Sequence, residues 1–244
     1  MTEDKIYSSG TYLAEPFRFD STVAEVFPDM LRRSIPGYAA TLEAIGSLAS
    51  RYVADDTNCY DLGCSLGAAT LAMRQGIRAS GCQIIAIDNS TAMLERCEQI
   101  VAAATRAAPG TPVDIQLGDI RETAIANASM IVMNYTLQFL SRGDRDETIA
   151  RIYEGLNPGG LLLLSEKVID ENAHMNRLLI DLHEEHKRRN NYSDLEISRK
   201  RTALEDVLVP ESVSAHRQRL RTAGFAHSGV WLRYFNFVSI VAIK

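Results

Sequence analysis

The sequence predicts an α/β fold built on a mostly parallel sheet, and three observations predict it. Strand-length apolar runs alternate with helical stretches from Asn58 onward, the pattern that lays helices on both faces of a parallel sheet. The first run closes on a glycine turn, Tyr60-Asp61-Leu62-Gly63-Cys64-Ser65-Leu66-Gly67, and a helix follows. The second, Ile84-Ile85-Ala86-Ile87, ends in Asp88 about twenty residues on. An acidic side chain there is placed to accept from ribose hydroxyls.

Residues 1 to about 20 are polar and irregular, and a flexible N-terminus is expected. Asp20-Ser21-Thr22 caps a helix toward Arg33, with Val23, Val26, Phe27 and Met30 on one face. Pro28 inside it predicts a kink or restart. Ser34-Ile35-Pro36-Gly37 ends that helix, and a second runs to about residue 53. These N-terminal helices, 20–55, precede the first strand. Strands are expected at 58–62, 83–87, 113–117, 129–135 and 160–166, with helices at 67–78, 91–106 and 144–155. Leu161-Leu162-Leu163-Leu164 is apolar on both faces, as a central strand requires. Asn157-Pro158-Gly159-Gly160 is the turn before it.

Residues 170–208 read as a helical insertion. Met175, Leu178, Leu179 and Leu182 mark an apolar face, Asn190-Asn191-Tyr192 interrupts, and Ser193 with Glu196 forms a capping box. A helix at about 211–222 stops at Gly224. Runs 230–234 and 237–243 then form an antiparallel hairpin at the sheet edge. That makes seven strands in a single domain, residues 1–244.

The chain has 244 residues, 46% of them apolar, and a net charge of −5 from 31 acidic and 26 basic residues. This balance speaks against nucleic-acid gripping as the main task. Cys59, Cys64, Cys82 and Cys97 show neither zinc spacing nor a C-x-x-C pair, so buried reduced thiols are expected. No apolar run reaches membrane length, and Met1-Thr2-Glu3-Asp4-Lys5 lacks a signal peptide's apolar stretch. A cytoplasmic protein with no metal and no membrane partner is the expectation. His183-Glu184-Glu185-His186 has two residues between its histidines, one short of the zinc-peptidase spacing. It reads as solvated helix surface, as do Lys187-Arg188-Arg189 and Arg199-Lys200-Arg201. One arginine facing a pocket would still suit a carboxylate.

The loop Asp61-x-Gly63-x-Ser65-x-Gly67 lacks the third glycine of a dinucleotide fingerprint and the Gly-Lys-Ser/Thr of a Walker loop. It resembles the first motif of Rossmann-like, S-adenosylmethionine-dependent methyltransferases. Gly118-Asp119-Ile120 follows the third strand. There Asp119 can accept from an adenine amino group and Ile120 can pack on the ring. Asn134-Tyr135-Thr136-Leu137 closes the fourth strand without the prolines of amino-methyltransferases.

A closer resemblance rests on several runs together. These are Val23-Ala24-Glu25-Val26-Phe27-Pro28-Asp29-Met30, Arg33-Ser34-Ile35-Pro36-Gly37-Tyr38, the glycine loop through Thr70, and Ala86-Ile87-Asp88-Asn89-Ser90. Asn134-Tyr135-Thr136-Leu137-Gln138-Phe139-Leu140 and Leu195-Glu196-Ile197-Ser198-Arg199-Lys200-Arg201 complete the set. From about residue 20 onward the chain resembles the carboxy-S-adenosyl-L-methionine synthase family. That resemblance implies conversion of S-adenosylmethionine and prephenate to carboxy-S-adenosylmethionine and phenylpyruvate. It implies a homodimer, and a product used by a partner enzyme that carboxymethylates the wobble uridine of tRNA. It matches Tyr38, Gly63, Cys64, Ser65, Asp88, Asn89, Asp119, Ile120, Asn134 and Arg201 to the family's ligand-binding positions, with Arg201 holding the new carboxylate. Tyr135 and Arg199 receive no special role. The competing readings are a conventional S-adenosylmethionine-dependent methyltransferase and a non-catalytic module that binds the same nucleoside.

Overall fold

The computed structural model of the chain describes residues 2–8 and 16–244. Its eight-stranded sheet has the order β3-β2-β1-β4-β5-β8-β7, with β6 paired to β5 off that path. The first four strands are β1 (Asn58–Leu62), β2 (Gln83–Asp88), β3 (Val113–Leu117) and β4 (Ala128–Asn134). They run parallel to one another and to β5 (Leu156–Ile169). The hairpin of β7 (His227–Tyr234) and β8 (Phe237–Ile243) adds antiparallel to β5. The parallel sheet and the C-terminal hairpin are as the sequence predicts. The two-residue β6 (Glu211–Ser212) is additional and too short to leave a periodic signal.

Before β1 come α1 (Ser21–Ser34) and α2 (Tyr38–Tyr52). Asp20 caps α1 by accepting from the Val23 N–H at 2.9 Å. α1 continues through Pro28 as one helix, where a kink or restart was expected. Gly37, at φ +77°, turns the chain into α2. Crossovers α3 (Ala68–Gly76), α4 (Thr91–Ala107) and α5 (Arg142–Gly155) link successive strands. The Asn157–Gly160 segment belongs to the start of β5 as an irregular stretch, where the register with β4 shifts. After β5 come α6 (Ala173–Arg189), α7 (Asp194–Leu204) with the full Ser193–Glu196 capping box, and α8 (Val213–Ala223), stopped by Gly224 at φ +112°.

The sheet is buried on both sides. One face carries Cys59, Ile84, Met130, Val132, Leu161 and Leu163 against α2 and α3. The other carries Tyr60, Ile85, Ile87, Ile131, Leu162 and Leu164 against α5 and α8. Side chains alternate between faces along a strand, so this division follows directly from the apolar runs.

The N-terminal segment departs from the expected flexibility wherever it is described. Asp4, Ile6, Tyr7 and Phe17 are buried against α1 and its surroundings. The Asp4 N–H donates to Asp29 Oδ2 at 2.9 Å, and Tyr192 donates its hydroxyl to the Asp4 carboxylate. Arg33 donates to the Asp4 and Asn190 carbonyls and stacks 3.9 Å from the Tyr192 ring centroid. Farther on, Ser90 donates to the Phe19 carbonyl, and Phe19 meets Phe139 edge-on. A polar sequence is held here by specific long-range partners, which local periodicity cannot reveal. The rest of the expected flexible stretch, residue 1 and residues 9–15, lies outside the described residues.

Candidate functional site

The site forms beyond the carboxyl ends of β1, β2 and β4, at the switch between strand orders that favours ligand binding in open α/β sheets. Gly63, at φ +81°, bends the chain off β1. A Cβ on Gly63 would stand 2.3 Å from a Thr136 carbon, so only glycine lets the loop after β4 close over it. Gly63 and Cys64 donate their N–H groups to the Ile87 carbonyl at 2.8 and 2.9 Å. Ser65 is left-handed at φ +51° and donates its N–H to Asp88 Oδ2 at 2.9 Å. Asp88 Oδ1 accepts from the Ser90 N–H at 2.9 Å. Burial raises the Asp88 carboxyl above its ordinary range. The structure thus brings together Gly63, Cys64, Ser65, Asp88 and Asn89, with Asp88 as the fastener of the loop. A carboxylate offers about four lone-pair sites, so the three backbone donors Ser65, Asn89 and Ser90 leave room for a ribose hydroxyl.

Asp61 lies beneath this loop. It is buried and accepts the Thr70 hydroxyl at 2.6 Å, and burial pushes it up to about 6. Tyr38, at the start of α2, sits within electrostatic reach of Asp61 and Tyr135; burial first, then the Asp61 charge, raises its hydroxyl. Asn134 ends β4 with its side-chain oxygen buried and no donor to it. An unmet buried acceptor costs about 1–3 kcal/mol, which a donor on a bound ligand relieves.

The other expected residues stand differently. Asp119 follows β3, where the Gly118 N–H donates to the Asp88 carbonyl at 3.0 Å. Its carboxylate is forked by Arg121 at 2.6–3.0 Å, which holds it below the usual carboxylate range. Ile120 is buried in the core cluster that includes Ile87 and Leu137. The Cys64 thiol is buried beside Cys97, and that contact and burial raise it. Arg201, on α7, is 63% exposed and pairs with Glu184 at 3.0 Å. Its charge is felt at Lys167 and Lys187, on the β5 side of the crevice and not at the glycine loop.

Sequence reasoning missed the residues that shape the loop after β4. Tyr135 holds φ +64°, a conformation that costs a bulky residue about 1–3 kcal/mol. The twist buries its ring edge-on to Phe237, 5.8 Å between centroids, with its hydroxyl on Thr41. Glu166, fully buried on β5, accepts the Leu137 N–H at 3.1 Å. Arg145, also fully buried, donates to the Gln138 and Leu140 carbonyls. A Glu and a Lys following four leucines in a strand buried on both faces were the available signal.

Two surface readings need correction. His183 is buried, with Nε2 2.9 Å from the Ser34 carbonyl and its ring 4.8 Å from that of Phe237. Lys187 and Lys200 are buried as well. The last turns of α6 lie against α1 and the hairpin, so His183 and Lys187 face inward while Arg188 and Arg189 stay at the surface. Among the described residues, no group of three or more His, Cys, Asp or Glu is arranged to hold a metal ion. No helix among them is long and apolar enough to cross a membrane.

Fold and glycine loop together define a methyltransferase-type, nucleoside-binding architecture. Residues 60–160 match the methyltransferase domain family. Two solved structures share the fold. One is human N-acetylserotonin methyltransferase in complex with SAM, 19% identical, covering 98% of this chain and 57% of that one, TM-score 0.61. The other is a putative S-adenosyl-L-methionine-dependent methyltransferase from Methanococcus maripaludis, 21% identical, covering 95% and 96%, TM-score 0.59.

Full-length relatives narrow the class. The carboxy-S-adenosyl-L-methionine synthase of Klebsiella pneumoniae (strain 342) is 52% identical, over 99% of this chain and 96% of that protein. Those of Aliivibrio fischeri (strain MJ11) and Shewanella woodyi are 53% and 49% identical, over 99% and 100% of this chain and 98% and 99% of theirs. The chain belongs to the carboxy-S-adenosyl-L-methionine synthase family, a family of transferases.

Proposed function

We propose that the protein converts S-adenosyl-L-methionine and prephenate to carboxy-S-adenosyl-L-methionine and phenylpyruvate. What carries this reading is the end-to-end match, at about half identity, to synthases of that name. The site supports it. Asp88 keeps acceptor capacity that suits a ribose hydroxyl, the buried Asn134 oxygen lacks a donor, and the acidic pair Asp61 and Asp88 suits a sulfonium cation.

The chemistry balances without a protein base. The sulfonium acidifies its methyl C–H bonds, and loss of one proton leaves a ylide. Prephenate releases its ring carboxylate as carbon dioxide and its ring hydroxyl as hydroxide while the ring aromatises. Hydroxide takes the methyl proton and leaves as water, and the ylide carbon bonds to carbon dioxide. The protein supplies proximity and exclusion of water. Tyr38, Gly63, Cys64, Ser65, Asp88, Asn89, Asp119, Ile120 and Asn134 hold the nucleoside in this reading, and Arg201 takes the new carboxylate from its rim pair with Glu184. Such exposed pairs hold by at most about 1 kcal/mol, so exchange is cheap.

The same reading includes a cytoplasmic homodimer whose product feeds carboxymethylation of tRNA wobble uridine. The exposed apolar Met175, Leu178 and Leu195 on α6 and α7 are the surface that favours self-association, and light scattering after size exclusion tests it. Incubation with S-adenosylmethionine and prephenate should yield phenylpyruvate and a nucleoside heavier by one carboxylate. Folded protein that makes neither removes the reading. Arg201→Ala should weaken the carboxylated nucleoside far more than S-adenosylmethionine, and equal loss in calorimetry would remove Arg201 from that role.

A further inference from the structure

On the β5 side of the crevice stands a group of cations with too few anions. Lys167 projects from β5, Lys187 from the last turn of α6, and Lys200 and Arg201 from α7. Lys200 is satisfied: Nζ donates to Ser34 Oγ at 3.0 Å, lies 3.7 Å from the Asp4 carboxylate and sits over the Tyr192 ring. The neighbouring carboxylate of Glu184 is already shared by Arg201 at 3.0 Å and Arg188 at 3.4 Å. Among the described residues Lys167 and Lys187 have no acceptor and no ion pair, although Lys187 is only 9% exposed. Each lies within electrostatic reach of the other and of Arg201. Both amines are largely desolvated yet keep an opening to solvent, a costly placement for a charge without an anion and one that suits the anion of a ligand.

Register places the pair beside the nucleoside site. Asn134 of β4 pairs with Ser165 of β5, and Lys167 is two residues farther along the same face. Strand geometry puts it about 5 Å across and about 7 Å beyond Asn134. A line of contacts closes the gap. Tyr135 meets Phe237, and Phe237 meets His183. Lys187 is four residues after His183 on the same helix face.

We infer that Lys167 and Lys187 form the anion subsite of a carboxylate-bearing co-substrate, seated next to the sulfonium end of the nucleoside. This rests on the proposed function, and it adds which carboxylate is held. A cation gripping the carboxylate that leaves as neutral carbon dioxide would stabilise the reactant and lose that contact as the reaction proceeds. The lysines therefore hold the side-chain carboxylate of prephenate, the one that remains in phenylpyruvate. The ring carboxylate is thereby turned toward the ylide carbon.

The test compares Lys167→Met and Lys187→Met with Arg189→Met, a control cation on α6 that is exposed and paired with Glu185. Each lysine variant should raise the KM for prephenate at least tenfold. The calorimetric Kd for S-adenosylmethionine should stay within twofold, and the control should change neither. A prephenate KM within twofold of wild type in both folded lysine variants overturns the subsite while leaving the proposed function standing. If the wild-type protein does not turn prephenate over, the proposed function fails. The subsite is then decided by NMR of wild-type protein with 13C-methylated lysines, assigned with the charge-keeping Lys167→Arg and Lys187→Arg. Saturating prephenate should shift both lysine signals. No shift of either overturns the assignment, and this measurement also decides it if the variants do not fold.

Discussion

The two halves of the crevice carry opposite charge. Around β1 and β2, Asp61 lies beneath the glycine loop and Asp88 fastens it, both raised by burial. Around β5, α6 and α7, Lys167 and Lys187 stand with their amines lowered by burial, Lys187 to about 7. Each half keeps charges that the chain does not neutralise internally. In the proposed reaction a sulfonium cation and a dicarboxylate must meet, and this division lets each half attract one reactant and repel the other. An ordinary methyl-transfer site needs only the acidic half.

The comparison breaks most severely at Gly63. Alanine there must hold φ +81° and places its Cβ 2.3 Å from Thr136. Gly63→Ala should cost at least a hundredfold in S-adenosylmethionine affinity by calorimetry. Adding Thr136→Gly should recover only part of it, since the backbone strain of a non-glycine residue persists at about 1–2 kcal/mol. Wild-type affinity in Gly63→Ala would mean that the acidic half is not the nucleoside cradle. Asp88→Ala comes next, with a loss of tenfold or more in nucleoside affinity and a prephenate KM within twofold. A comparable loss in both would show that the halves do not act separately.

The parts of this arrangement legible in the sequence are those made by local pattern. The glycine loop, the acidic end of β2, the strand alternation and the Ser193–Glu196 box all declare themselves within a few residues. The basic half does not. Lys187 lies in a cluster that reads as solvated surface, and it is buried only because the end of α6 turns toward Ser34 and Phe237, 149 residues before and 54 residues after His183 in sequence. The N-terminal strap hides similarly: nothing near Asp4 announces Asp29, Arg33 and Tyr192 as partners. Tyr135 in the left-handed region is equally silent, because the loop closing over Gly63 sets that conformation and residue type does not.

The lysines also predict a pH dependence that separates the halves. An unfolded lysine titrates near 10.5, whereas Lys187 is pushed down to about 7 and Lys200 to about 8, chiefly by burial. Lys187 faces Lys167 from β5, Lys200 and Arg201 from α7, and Glu184 and His183 on its own helix. Of these only Glu184 is acidic, and Asp4 stands beyond it, next to Lys200. Between pH 7 and 8.5 the folded chain binds fewer protons than the unfolded one, so stability rises with pH through that window. Asp61, raised to about 6, contributes nothing to that slope because it is ionised in both states there. The urea midpoint of the ligand-free protein should climb from pH 7 to 8.5. Lys187→Met should raise the midpoint at pH 7 and flatten the climb. A midpoint falling over this range would show that both ammonium groups are already paired in solution.

The smallest effect is expected at the joint between the halves. Glu166 sits at the level where β5 passes from Asn134 to Lys167, and burial holds its carboxyl well above the ordinary range despite Arg145 nearby. Its work is to accept the Leu137 N–H at 3.1 Å. A glutamine has the same shape and keeps that acceptor. Glu166→Gln should change the unfolding free energy by less than about 1 kcal/mol and leave both ligand affinities within twofold, whereas Glu166→Leu strands the N–H and costs about 1–3 kcal/mol. If glutamine proves as costly as leucine, the group is an ionised partner of Arg145. The charge boundary would then run through β5 itself, and a negative charge would stand at the joint.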